Sequence, residues 1–87
     1  MRIQVEVSVY PLLTDNIENV VHRFCTELQN DENEVRIGPM STFISGDSDS
    51  IFPRIQHAFE MTAKDHNVVM TLKCSNACPE TVSTDDG

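Results

Sequence analysis

The chain has 87 residues, which corresponds to one small domain, because single domains typically run to about 100–150 residues. Fourteen acidic residues against six basic ones give a formal net charge of −8, which argues against nucleic acid or an anionic membrane surface as a partner. No stretch reaches the ~18 apolar residues of a membrane span, and no signal-peptide pattern opens the chain, so we expect a cytoplasmic protein.

The first predicted element is a strand from Arg2 to Tyr10, in which apolar and polar side chains alternate. Such alternation indicates a strand with one buried face, and Pro11 is expected to end it. The buried set is Ile3, Val5, Val7 and Val9, and the opposite set is Gln4, Glu6, Ser8 and Tyr10.

A helix is predicted next, from about Asp15 to Gln29. Thr14 or Asp15 could cap it, since Asp15-x-x-Glu18 is similar to a capping box. The apolar stripe at helical spacing consists of Ile17, Val20, Val21, Phe24 and Leu28, with Cys25 at its edge. After a polar turn, a short strand covers Glu34–Ile37, and Gly38-Pro39 breaks it.

A third strand is predicted from Met40 to Ser45, closed by Gly46. Its facing has two solutions. The apolar count favours Met40, Thr42 and Ile44 on the core side, which places Phe43 on the polar face. In the alternative, Ser41, Phe43 and Ser45 point to the core.

The second helix is predicted to run to about Asp65, with its cap at Asp49 or Ser50 and Pro53 in its first turn, where a missing N–H does no harm. Its expected buried face is Ile51, Phe52, Ile55, Ala58, Phe59 and Thr62. The last strand covers 68–74. We expect one domain over residues 1–79 and a disordered acidic tail over residues 80–87.

Strand, helix, strand, strand, helix, strand is the order of the ferredoxin-like βαββαβ sandwich. The prediction is therefore an α+β fold with a four-stranded antiparallel sheet, whose first and third strands are central. Both helices would cover one face of the sheet. The other face would be free for water, a ligand or a partner.

Residue patterns for catalysis or metal binding are weak. Cys25, Cys74 and Cys78 are an odd number with no CxxC spacing, which favours free thiols in a reducing compartment. His22, His57 and His66 are not expected to converge on a metal, and no nucleotide-binding or hydrolase motif is present. We therefore expect a binding module that is not an enzyme and needs no cofactor or metal.

Three segments resemble one known family. They are Val7-Ser-Val-Tyr-Pro-Leu12, Gly38-Pro-Met-Ser-Thr42 with Gly46-Asp47, and Val68-Val-Met70 leading into Ser75-Asn-Ala-Cys-Pro79. Together they are similar to the YkoF-type thiamine- and hydroxymethylpyrimidine-binding proteins. The resemblance covers nearly the whole chain. It implies a cytoplasmic binder of thiamine or its pyrimidine moiety, acting in vitamin salvage or uptake as a homodimer or a dimer of dimers.

Candidate ligand-binding residues follow from this resemblance and from the chemistry of an aminopyrimidine. Glu6, Ser8 and Thr42 could read its polar edge, Thr42 only if the third strand has the alternative facing. Tyr10 or Phe43 could stack on the ring. Further candidates come from the matching segments: Gly38, Pro39, Met40, Ser41 and Asn76.

Two other functions stay open. The chain could be an interaction domain that only oligomerises through the free sheet face. It could also be a sensor of another small metabolite, such as an amino acid.

Overall fold

A computed structural model describes residues 1–77 of the chain. Its elements are β1 (Arg2–Pro11), α1 (Ile17–Leu28), β2 (Glu34–Ile37), β3 (Thr42–Asp47), α2 (Ser48–Ala63) and β4 (Val68–Ser75). The four strands form one antiparallel sheet in the order β2-β3-β1-β4. The predicted ferredoxin-like βαββαβ fold is thus confirmed, with β1 and β3 in the centre. The predicted tail, residues 80–87, lies outside the described residues.

The core lies between the sheet and the two helices. Alternate residues of β1 supply one wall, as the strand pattern predicts, and Ile44 of β3 extends it. The helices supply the opposite wall with Phe24, Leu28, Ile51, Ile55 and Ala58. Burying these side chains is the main favourable contribution to folding in such a domain. Within residues 1–77, neither helix has the length and hydropathy of a membrane span.

The predicted cap of α1 is wrong. Asn16 is the N-cap residue and makes no side-chain cap bond. The Thr14 hydroxyl binds the backbone just before the helix, since its Oγ1 accepts from the Asn16 N–H at 3.0 Å. The amide oxygen of Asn16 accepts from Asn19 Nδ2 at 2.7 Å instead of from a helix amide. Ile17 is consequently an exposed first residue of α1, not part of the buried stripe.

The predicted start of α2 is also wrong. Asp47 is the N-cap, and its side chain accepts from the Asp49 N–H. The same carboxylate binds the N-terminal ammonium at 3.1 Å, and the Ser48 N–H donates to the Met1 carbonyl at 2.8 Å. These contacts with the chain terminus start the helix early, which leaves Pro53 inside the helix. Phe52, predicted to be buried, is exposed.

The third strand begins two residues later than predicted, at Thr42, and continues through Gly46 to Asp47. Its preferred facing is confirmed at two of three positions, because Thr42 and Ile44 are buried on the helix side. Met40 lies before the strand and is exposed. Phe43 lies on the sheet face opposite the helices, called here the helix-free face, together with the even-numbered residues of β1.

The register of the sheet leaves a gap beside β1. On one side β1 pairs with β3 only as far as Val7, which lies opposite Thr42. On the other side it pairs with β4 from Gln4, opposite Ser75, to Pro11, opposite Val68. Beyond Val7, the neighbour of β1 on the β3 side is therefore the loop that joins β2 to β3. This gap positions the candidate site.

Candidate functional site

The loop between β2 and β3, residues 38–41, closes the gap beside β1. The Gly38 N–H donates to the Ser41 carbonyl at 2.9 Å, which makes the loop a tight turn. A Cβ at Gly38 would lie 3.0 Å from that carbonyl oxygen, so the turn favours glycine here. The turn leaves the Met40 side chain 86% exposed above the gap.

A cavity of about 180 Å³ lies behind this loop, and we call it the loop cavity. Its walls are apolar where β1 and α1 contribute Val7, Val9 and Phe24. Polar atoms come from Ser8, from the loop backbone, and from Thr42, whose Oγ1 is 3.4 Å from Cys25 Sγ. A small apolar slot with a few polar groups suits a flat heterocycle.

A second cavity, of about 240 Å³, lies on the helix-free face, and we call it the face cavity. It is lined by Glu6, Ser8, Met40, Ser41, Thr71, Leu72 and Lys73. Ser8, Met40 and Ser41 also line the loop cavity, so the two cavities adjoin.

Glu6 is the charged acceptor of the face cavity. Its Oε2 accepts from Ser41 Oγ at 2.8 Å, and its Oε1 is 3.8 Å from Lys73 Nζ. Ser8 Oγ and Thr71 Oγ1 form a hydrogen bond of 3.1 Å across β1 and β4. Since each hydroxyl can donate or accept, this group can bind both donors and acceptors of a ligand.

The remaining candidates lie around or away from these cavities. Tyr10 is on the helix-free face, 51% exposed, opposite Val69 of β4. Phe43 lies beside Glu6 on that face, with the Arg36 guanidinium 5.9 Å from its ring centre. Asn76 lines a groove at the opposite end of the sheet, with Met1 and Ile3, and is not brought to the other candidates.

Thr42 lies in the loop cavity and not on the face of Glu6. The alternative strand facing, on which its predicted role depended, is not the one that forms. Any contact of Thr42 with a ligand would therefore be made from the helix side of the sheet.

The family model described as thiamine-binding protein matches residues 5–85. The chain belongs to this thiamine-binding protein family. Among curated proteins, none matches it.

Several solved structures have the same fold as this chain at low sequence identity. A Streptococcus pneumoniae protein has a TM-score of 0.85 at 20% identity, over 98% of this chain and 97% of its own. A candidate thiamine biosynthesis/salvage protein from Thermotoga maritima has a TM-score of 0.82 at 18% identity, over 98% and 99%. A domain of unknown function from Bacillus cereus has a TM-score of 0.76 at 21% identity, over 99% and 86%.

The sequence prediction missed the contribution of β4 to the candidate site. Thr71 lies opposite Ser8, and Lys73 lies opposite Glu6. Alternation within 68–74 could have placed both on one face, but only the register shows which residues of β1 they meet. The sequence prediction also missed that Phe24 and Cys25 line the loop cavity. A helical stripe predicts that side chains are buried, and it does not predict a cavity beside them.

Within residues 1–77, no group of three or more metal-ligating side chains converges. His57 is paired with Glu27, with 2.9 Å between Nε2 and Oε1. Cys25 and Cys74 are free cysteines, and Cys78 lies outside the described residues. The candidate site is thus built from a carboxylate, an ammonium, hydroxyls, backbone groups and apolar walls.

Proposed function

We propose that this protein binds thiamine or its hydroxymethylpyrimidine moiety reversibly in the loop and face cavities. One observation carries the proposal: in a member of the thiamine-binding family, two adjoining cavities share three lining residues. The loop cavity has apolar walls with polar groups from Ser8 and Thr42, and the face cavity carries Glu6, with Lys73 at 3.8 Å. A ligand composed of a flat aminopyrimidine and a linked cation matches this division.

The loop cavity would take the pyrimidine ring. Its apolar walls would bury the ring faces, which contributes about 25 cal/mol per Å² of apolar surface removed from water. The ring nitrogens accept hydrogen bonds and the exocyclic amine donates them. Ser8, Thr42 and the backbone of residues 38–41 offer both kinds of partner at the cavity wall.

The face cavity would take the thiazolium. This ring carries a permanent positive charge, and Glu6 supplies the negative charge of the cavity. The net charge of −8 adds a weak attraction at long range. Tyr10 and Phe43 lie on the same face, where an aromatic ring can approach a cation.

Thiamine diphosphate should bind more weakly than thiamine. Phosphate sites usually combine several Arg or Lys side chains or a row of helix N-terminal amides. Among the described residues that line the two cavities, Lys73 is the single cation, and it faces Glu6 at 3.8 Å. The acidic chain also repels the diphosphate.

The test is titration calorimetry of thiamine, hydroxymethylpyrimidine and thiamine diphosphate against three proteins: wild type, Glu6→Gln and Glu34→Gln. Glu34 lies on edge strand β2 and contacts Arg36 at 3.5 Å, outside both cavities, so its variant is a matched control. We expect Glu6→Gln to weaken thiamine binding by roughly tenfold or more, as for loss of a charged hydrogen-bond partner, and Glu34→Gln to leave it unchanged.

Absence of saturable binding by both thiamine and hydroxymethylpyrimidine would reject the proposed function. Equal losses in Glu6→Gln and Glu34→Gln would reject the proposed site, because a general charge effect would then explain them. Tighter binding of the diphosphate that weakens steeply with salt would show a basic site elsewhere.

The proposal has further parts. The protein would be a homo-oligomer in the cytoplasm, would bind its ligand without changing it chemically, and would act in thiamine salvage or uptake. Family membership supports binding as the role. Exposed apolar side chains at one end of the sheet support self-association: Tyr10, Leu12, Leu13, Ile37 and Met40. Sedimentation equilibrium at micromolar concentration tests it, and a clean 9.8 kDa species would reject it.

A further inference from the structure

A third cavity lies in the helix layer, between the beginning of α1 and the end of α2. Its volume is about 170 Å³, and we call it the helix-end cavity. None of its lining residues lines the loop or face cavity. Its volume is below the ~300–1,000 Å³ of pockets for drug-sized ligands, so a ligand held there must be small.

Two opposite charges line this cavity without meeting. Arg23 of α1 and Asp65, just after α2, both contribute to the wall. Among residues 1–77 the ion pairs are formed by other groups, and neither of these two side chains has a hydrogen-bond partner. The space between them is therefore flanked by a guanidinium and a carboxylate that have no partner within residues 1–77.

The other end of the same helix pair shows the contrast. There Glu27 Oε1 of α1 lies 2.9 Å from His57 Nε2 of α2, within hydrogen-bond distance. Arg54 Nη1 donates to the Glu27 carbonyl at 3.4 Å. Polar side chains thus connect the helices at one end, while Arg23 and Asp65 at the helix-end cavity form no such contact with each other.

The remaining wall adds polar and apolar partners. Asn19 Nδ2 donates to Asn16 Oδ1 at 2.7 Å. Asn16 Nδ2 and Asn19 Oδ1 have no partner in the described part of the chain, so both can bind a ligand. Val20 and Met61 supply apolar surface. The Thr62 hydroxyl is already used, since it donates to the Ala58 carbonyl at 2.9 Å.

We propose that the helix-end cavity binds a small zwitterion of the α-amino acid class, through Arg23 and Asp65. A guanidinium binds a carboxylate with two parallel hydrogen bonds, and a carboxylate accepts from an ammonium. Val20 and Met61 would contact a short apolar side chain. A zwitterion has no net charge, so the acidic chain does not repel it as it would a simple anion.

The test is a titration of the full chain with L-valine, L-leucine and L-methionine, followed by amide chemical shifts. We expect saturable shifts at residues 19–23 and 61–66. The amino acid that binds is then compared with its decarboxylated amine and its deaminated acid. Each analogue retains one charge, so each should bind roughly tenfold more weakly or worse.

Arg23→Gln and Asp65→Asn test the two charges in the protein. Both residues are exposed, so the folds should persist, as unchanged melting temperatures would show. Each variant should lose about tenfold in affinity. The control Arg54→Gln removes a guanidinium at the tied helix end and should leave the affinity unchanged.

Three results would overturn the proposal: no saturable shift with any of the amino acids, equal binding of a one-charge analogue, or equal losses in Arg23→Gln and Arg54→Gln. Binding that disappears in Glu6→Gln would also overturn it, since the amino acid would then occupy the face cavity.

Discussion

The two faces of the sheet use the same strands for different purposes. On the helix-covered face, Val5, Val7 and Ile44 are almost completely buried. On the helix-free face, Glu6 and Ser8 line the face cavity. Since neighbours in a strand point to opposite faces, one residue step separates the core from the face cavity. The difference teaches that substitutions at the exposed positions of the helix-free face can test binding at a smaller cost to the fold than substitutions in the core.

Ile44 and Phe43 give the largest expected contrast between the faces. Ile44→Ala should lower the free energy of unfolding by about 2–5 kcal/mol, because it leaves a cavity in the core. Phe43→Ala should lower the free energy of unfolding by about 1–2 kcal/mol, because Phe43 is half-buried and the substitution also removes its contact with Arg36. Urea unfolding of both variants measures this, and an equal cost would show that the helix-free face is also core.

Gly46 tests how tightly the helix-covered side of β3 is closed. A Cβ on Gly46 would overlap Asn33 Oδ1 and lie 3.0 Å from Asn33 Cγ. Asn33 cannot swing away freely, because its Nδ2 donates to Ser50 Oγ at 2.9 Å and to Asn30 Oδ1 at 3.1 Å. Gly46→Ala should therefore cost about 1–3 kcal/mol of stability.

A double-mutant cycle with Asn33→Ala isolates this clash. In the Asn33→Ala background, Gly46→Ala should cost at least ~0.5 kcal/mol less than in wild type. Additive costs would place the strain elsewhere, in the backbone of β3.

Asp47, an exposed residue where β3 ends and α2 begins, gives the smallest expected effect. The N-terminal ammonium, and then the Asp49 N–H, hold the pKa of Asp47 below its ordinary value of 3.8. A folded-state pKa that is lowered stabilises the fold above the unfolded value, and the stabilisation is lost as the pH falls through the folded value. Asp47→Asn keeps a capping side chain but removes the charge.

The melting temperature of wild type should therefore be slightly higher than that of Asp47→Asn at pH 6, and the two melting temperatures should converge towards pH 2. A difference that persists at pH 2 would assign the effect to the cap geometry instead of the charge.

The sequence predicts the fold better than the site, for physical reasons. Alternation in β1 and the stripe of α1 report burial directly, so the strand order and core follow from them. The start of α2 was missed because the contacts of Asp47 with the chain terminus compete with local capping signals at Asp49 and Ser50. The site depends on strand register, which brings Lys73 to Glu6 and leaves Asn76 at the other end.

The central position of β1 has one more consequence. Its partners β3 and β4 both come from the part of the chain after α1. If the chain is divided in the turn after Leu28, each fragment holds only part of the cavity walls. The first fragment carries Glu6 and Ser8, and the second carries the loop and Lys73. A ligand of the joined cavities would therefore favour reassociation of the fragments, and a split reporter built on them would respond to its concentration.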